Sequence, residues 1–86
     1  MSQEKTTLFD FSELDTAQTR KTLEEVYDAL EERGYNPVNQ IVGYLISGDP
    51  GYISSYKNAR SKMQEVDRAK IVEILLQEFR KNKWDI

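Results

Sequence analysis

The 86-residue chain contains neither cysteine nor histidine, and its prolines and glycines are few, two and four respectively. Without cysteine there is no disulfide framework and no thiolate nucleophile. Without histidine the commonest general base and metal ligand is missing, so catalysis by the common routes is not expected, and neither a metal nor a cofactor is. No stretch approaches the 18 apolar residues of a membrane span, and Met1-Ser2-Gln3-Glu4-Lys5 lacks the basic and apolar regions of a signal peptide; a cytoplasmic location without membrane attachment is the expectation. A strong basic excess is absent too. Lys and Arg number 12 against 15 Asp and Glu, a net charge of −3. Residues 1–35 hold nine acids against four bases and carry −5, whereas residues 36–86 carry +2. A duplex-binding domain draws most of its affinity from phosphate neutralisation and is usually basic overall, so this balance suits protein contacts better.

A chain of this length forms one domain and buries roughly 60–65% of its surface, which leaves a monomer marginal and favours a partner or a second copy. The clearest local signal lies in residues 34–50. Asn36 is a natural N-cap, and Pro37 suits the first helical position because its missing N–H would be unpaired there anyway. Gly48 can take a positive φ at the far end, and Asp49-Pro50 then caps and opens the next turn. Between these stops Ile41, Val42, Leu45 and Ile46 form one wide apolar face. This helix is expected to be the element onto which the others dock, with Leu45 in the core. Asn36, Asn39 and Gln40 are expected to supply a cap and a buried hydrogen-bonding group.

Residues 1–14 read as a flexible N-terminal arm, and residues 15–86 as a single α-helical domain. Leu8, Phe9 and Phe11 make the arm more apolar than a plain tail. Phe9 and Phe11 either cover the edge of the core or form a recognition segment around Thr6 and Thr7. A first helix starts at Asp15 or Thr16, repeats apolar residues at Leu23, Val26, Tyr27 and Leu30, and stops at Gly34. Ser54 or Ser55 opens a further helix with Tyr56, Ala59, Met63 and Val66 on one side and Lys57, Arg60 and Lys62 turned away. Asp67 caps the last helix, whose apolar positions Ile71, Val72, Ile74, Leu75, Leu76 and Phe79 exceed what one face can turn inward. That surplus favours a homodimer, with Val72 and Leu76 as a second stripe. Trp84 is either a lid on the core or an exposed contact. The expected fold is therefore all-α, a compact bundle of four to five short helices with a flexible arm, as a homodimer.

Two motif-like features carry little chemistry. Gly48-Asp49-Pro50-Gly51 lacks the lysine and spacing of a phosphate loop and reads as a turn. The helices flanking it could mimic a helix-turn-helix offering Lys57, Arg60 and Lys62 to a groove, which makes a small nucleic-acid-binding domain the alternative reading, against the overall charge.

The run Glu31-Glu32-Arg33-Gly34-Tyr35-Asn36-Pro37-Val38-Asn39-Gln40-Ile41-Val42-Gly43-Tyr44-Leu45-Ile46-Ser47-Gly48-Asp49-Pro50-Gly51-Tyr52-Ile53 closely resembles the signature of the IreB/ReoM (YrzL-type) family of small proteins from Gram-positive bacteria. A weaker likeness extends from Lys5-Thr6 through Asn58-Ala59-Arg60 to Asp67-Arg68. The resemblance implies an all-α homodimer that is a regulatory phosphoprotein and not an enzyme, a substrate of a membrane Ser/Thr kinase with extracellular PASTA domains and of its cognate phosphatase. It also implies a role in tuning peptidoglycan synthesis and cephalosporin tolerance, at least in part through Clp-protease degradation of the UDP-N-acetylglucosamine enolpyruvyl transferase. The family's phosphoacceptor is a threonine a few residues from the start, which here is Thr6 with Thr7 as its neighbour. Many relatives carry Pro-Arg-His where this chain has Ser54-Ser55-Tyr56, and further basic residues at Gln64 and Glu65. A basic contact for the phosphorylated arm or for a partner is therefore carried over to Arg60, with Lys57 beside it.

Overall fold

A computed structural model describes residues 11–82, the side chains of Phe11 and Ser12 excepted; Thr6, Thr7, Leu8, Phe9, Trp84 and most of the arm lie outside the described residues. The described residues form four helices: α1 (Phe11–Glu32), α2 (Pro37–Ser47), α3 (Ala59–Gln64) and α4 (Arg68–Asn82). Two single 3₁₀ turns, Pro50–Tyr52 and Tyr56–Asn58, sit between α2 and α3. Among the described residues there is no strand, and no helix is long and apolar enough to cross a membrane.

The helix on which the others pack is α1, not α2. It touches α2, α3 and α4 along its 22 residues, while α2 mainly meets α1 and the Pro50–Tyr52 turn. Length decides this. Six turns give α1 room for three neighbours along about 33 Å, whereas 11 residues give α2 about half of that. The helix already includes Phe11, ahead of the Asp15 or Thr16 expected from capping.

The capping expectations around α2 hold. The Asn36 side chain accepts from the Asn39 N–H at 3.1 Å with Pro37 behind it, and Asp49 caps the next turn by accepting from the Gly51 N–H at 2.8 Å. Gly34 ends α1 at φ 88°, letting the Tyr35 N–H reach back to the Leu30 carbonyl at 3.0 Å. Gly48, at φ 76°, returns its N–H to the Tyr44 carbonyl at 2.7 Å. Here the chain of α4 joins in: the Arg68 guanidinium donates to the Leu45 carbonyl at 2.9 Å and lies 2.9 Å from where a Cβ on Gly48 would stand. Gly48→Ala therefore adds a displaced arginine to the ordinary left-handed penalty of about 1–2 kcal/mol. At Gly34 the same Cβ meets open space. Urea unfolding should show a larger loss for Gly48→Ala than for Gly34→Ala.

The core gathers Val26, Ala29 and Leu30 of α1, Ile41 and Tyr44 of α2, Ala59 and Met63 of α3, Ile71 of α4, and Ile53, which follows the Pro50–Tyr52 turn, with Ile74 also buried. The wide face read on α2 is split. Ile41 points inward, Leu45 is half-buried at the edge, and Val42 and Ile46 face outward, Ile46 at 81% exposure. Pro37 and Tyr44 take the remaining inward places, because one side of a helix lies along positions three and four apart. Leu45 is thus not a core residue.

The helix expected from Ser54 or Ser55 to Val66 is broken. Lys57 and Asn58 both adopt left-handed backbone, φ 50° and 62°, which ends the Tyr56–Asn58 turn and re-aims the chain so that the six-residue α3 can bury Ala59 and Met63. Neither Ser55 nor Asn58 caps with its side chain; Ser54 instead accepts from the Tyr56 N–H at 3.2 Å. Asp67 does cap α4, accepting from the Ala69 N–H at 3.1 Å.

Candidate functional site

Lys57 and Arg60, the two cations singled out for a partner or the phosphorylated arm, stand on neighbouring segments but are held differently. The left-handed turn at Lys57 directs its ammonium to Glu32 near the end of α1, Nζ to Oε1 2.7 Å. The Tyr56 hydroxyl donates to the other oxygen of the same carboxylate at 3.2 Å. Arg33 and Lys57 both approach the Tyr56 ring, 5.7 and 5.8 Å from its centre. These four side chains tie the turn to the end of α1. Arg60 donates from Nε to the Ile53 carbonyl at 2.8 Å, while Gln40 of α2 accepts from the adjacent Ser54 N–H at 2.9 Å. Gln40 is the half-buried hydrogen-bonding group expected of this stretch; Asn39 is exposed and only its backbone takes part in the cap.

The hydrogen bond from Lys57, aided by its charge and by Tyr56, holds the Glu32 carboxyl below its ordinary range against a smaller opposing effect of desolvation. The same hydrogen bond, with the charge of Glu32, raises Lys57. A carboxylate whose folded pKa is depressed adds stability above its unfolded pKa, and that contribution disappears as pH falls through the folded value. Glu32→Gln should accordingly lose less stability on acidification from neutral pH through the carboxylate range than the unmodified chain does, as followed by urea unfolding at successive pH values. The pair is exposed to solvent and salt, so the effect is small.

Lys62 approaches Glu25 at 3.5 Å, so two of the three cations that could have formed a groove-reading row are turned back onto the acids of α1. With α3 only six residues long, no extended recognition helix is built there. Among the described residues no three potential metal ligands converge.

A second surface is apolar. Leu23 and Tyr27 of α1, Val38, Ile41, Val42 and Leu45 of α2, and Leu75 of α4 line an open groove of about 220 Å³. Beyond it Ile46, Val72, Leu76 and Phe79 are exposed by 81%, 42%, 62% and 61%. Sequence periodicity flagged the surplus on α4, and Val72 and Leu76 do stand outside the core; it assigned Leu75 and Phe79 to the strongest apolar pattern of the helix, and both of these are exposed as well.

The family model of the IreB regulatory phosphoprotein matches residues 4–81. The chain belongs to the IreB family. The match covers nearly the whole chain and takes in Thr6 and Thr7, the Lys57–Arg60 segment and the apolar face alike. Membership of the IreB family makes it a regulatory phosphoprotein by kinship, and what the two surfaces contribute follows from their chemistry. The Glu32 node holds a turn in place, whereas an apolar face flanking a groove is the kind of surface that other protein covers. Sequence reasoning missed Glu32 as the partner of Lys57, because the contact spans 25 residues and depends on two consecutive left-handed residues, of which only Asn58 is of a type that often takes that backbone.

Proposed function

We propose that the chain acts as a non-enzymatic, phosphorylation-controlled regulator in the cytoplasm: a PASTA-domain Ser/Thr kinase transfers the γ-phosphoryl group of ATP to the hydroxyl of Thr6 or Thr7, and a cognate phosphatase removes it. The regulated process is peptidoglycan synthesis and, with it, cephalosporin tolerance, through Clp-dependent degradation of the UDP-N-acetylglucosamine enolpyruvyl transferase. The working unit is a homodimer. The observation that carries this reading is the family match, which begins at residue 4 and so includes both threonines. The exposed apolar residues of α2 and α4 support protein contacts, and a small domain gains most from covering them. A nucleic-acid partner is disfavoured by the pairing of Lys57 and Lys62 with Glu32 and Glu25.

The decisive experiment treats the protein with the kinase domain and ATP and maps the phosphate in the unmodified chain, Thr6→Ala, Thr7→Ala and the double variant. One phosphate per chain is expected on one of the two threonines, and none on the double variant. Stoichiometric modification of the double variant, or a site within α1, would overturn the assignment.

A further inference from the structure

Two ion pairs join α1 to α4, and both stand on the part of α1 nearest its start. Lys70 Nζ lies 3.9 Å from Asp15 Oδ2 and 3.8 Å from Glu73 Oε1. Arg20 donates to the Glu78 carboxylate, and that hydrogen bond is the main reason the Glu78 carboxyl titrates below its ordinary range. The Arg20 and Glu78 side chains keep 39% and 34% of their surface open, so an incoming anion has access to the guanidinium.

Distance selects among the cations. Thr6 precedes Phe11 by five residues and Thr7 by four, so a fully extended backbone carries them at most about 17 and 14 Å from the start of α1. Along the helix, Asp15 with its partner Lys70 is about 6 Å from Phe11, and Arg20 about 14 Å. Glu32, which holds Lys57, is about 31 Å away, and the extended arm spans only about half of that. Lys62, at Glu25, is about 21 Å away.

We propose that a phosphothreonine at position 6 or 7 is taken up by Arg20 of the same chain, with Lys70 as the second cation, and that Glu78 is thereby released. This rests on the reading that the arm is the phosphorylated segment. The phosphate brings a charge of about −1.5 to −2 and three acceptor oxygens that fit the guanidinium fork, where Glu78 brings a single charge. Asp15 and Glu73, both paired with Lys70, oppose the phosphate, while Lys21, next to Arg20 in the chain, and Lys81, whose charge is felt at Glu78, favour it. Once Arg20 has changed partners, α4 loses one of its ties to α1. The helix so loosened carries Val72, Leu75 and Leu76, so the modification acts on the apolar face while leaving Leu30 and Met63 buried.

The test installs phosphothreonine at position 6, and separately at position 7, in the full-length chain by genetic encoding, and follows the phosphate's second pKa by phosphorus NMR. At one position or both it should be lower than in the Arg20→Gln variant by on the order of half a pH unit, since an adjacent cation favours the dianion. Arg60→Gln should leave it unchanged, and so should dilution. Equal titration with and without Arg20, loss of the shift in Arg60→Gln, or loss on dilution, which would place the cation on another copy, overturns the proposal. Failure of the kinase to modify either threonine would instead sink the functional reading, because the phosphate in this experiment does not come from the kinase.

Discussion

Leu30→Ala should cost about 3–5 kcal/mol of folding stability, the upper part of the range for truncating a fully buried leucine whose surroundings cannot collapse into the space. Leu30 has no exposed surface and sits in the cluster formed by α1, α2, α3, α4 and Ile53. Because α1 is the helix all others touch, a cavity there is bordered by elements whose positions are fixed by their other contacts. A domain of this size holds only about 4–13 kcal/mol in total, so the variant should melt on the order of 15 °C lower or fail to fold at body temperature. Leu45→Ala is the matched control. Half-buried at the edge of an open groove, Leu45 loses solvent-accessible contacts and leaves no enclosed void, for a cost of about 1 kcal/mol. Urea unfolding at one fixed protein concentration separates the two, since self-association would otherwise add a concentration-dependent term. Equal losses for Leu30→Ala and Leu45→Ala would show that α2, and not α1, is the centre of the core.

What could be read from the residues alone divides along a physical line. Asn36 with Pro37, Gly34, Gly48, Asp49 and Asp67 were legible because caps and left-handed stops are satisfied within four or five residues, and local chemistry suffices to place them. On α1 the inward side was legible at Val26 and Leu30, while Tyr27, read on the same stripe, is exposed and Leu23 only half-buried. On α2 and α4 there are more apolar residues than contact area, so periodicity alone could not separate Ile41 from Ile46 or Ile74 from Leu76; position relative to α1 does. The break at Lys57 and Asn58 had only Asn58 as a local signal, too little to place it, because the turn is held by Glu32 far upstream and by Ala59 and Met63 entering the core. Arg60 was legible as an outward cation, but not the hydrogen bond by which its Nε holds the Ile53 carbonyl. The pairing of Arg20 with Glu78, 58 residues apart, lies beyond any local rule.

Charge placed on the apolar face should separate the two copies of the proposed homodimer without unfolding either. Ile46 and Leu76 are the sites of choice, exposed by 81% and 62% and remote from the buried cluster, so that lysine at either position meets solvent in the single chain. In a symmetric pair each substitution occurs twice and leaves unpaired ammonium groups in a surface that has excluded water; breaking hydrogen bonds to water without replacing them costs several kcal/mol per buried ion. That exceeds what one leucine or isoleucine side chain contributes by burial, about 1.5–3 kcal/mol, so the association constant should fall by at least about a hundredfold for Leu76→Lys and further for the double variant Ile46→Lys/Leu76→Lys. Sedimentation equilibrium at micromolar concentration should then give about twice the chain mass for the unmodified protein and the mass of a single chain for the double variant, with the helical circular dichroism of both superimposable. Lys81→Met, which removes an exposed charge at the end of α4 without adding one to the face, should leave the mass unchanged. A double variant that sediments as the unmodified protein does would mean that copies of this chain do not meet through α2 and α4, and would assign the exposed leucines and isoleucines to a different protein.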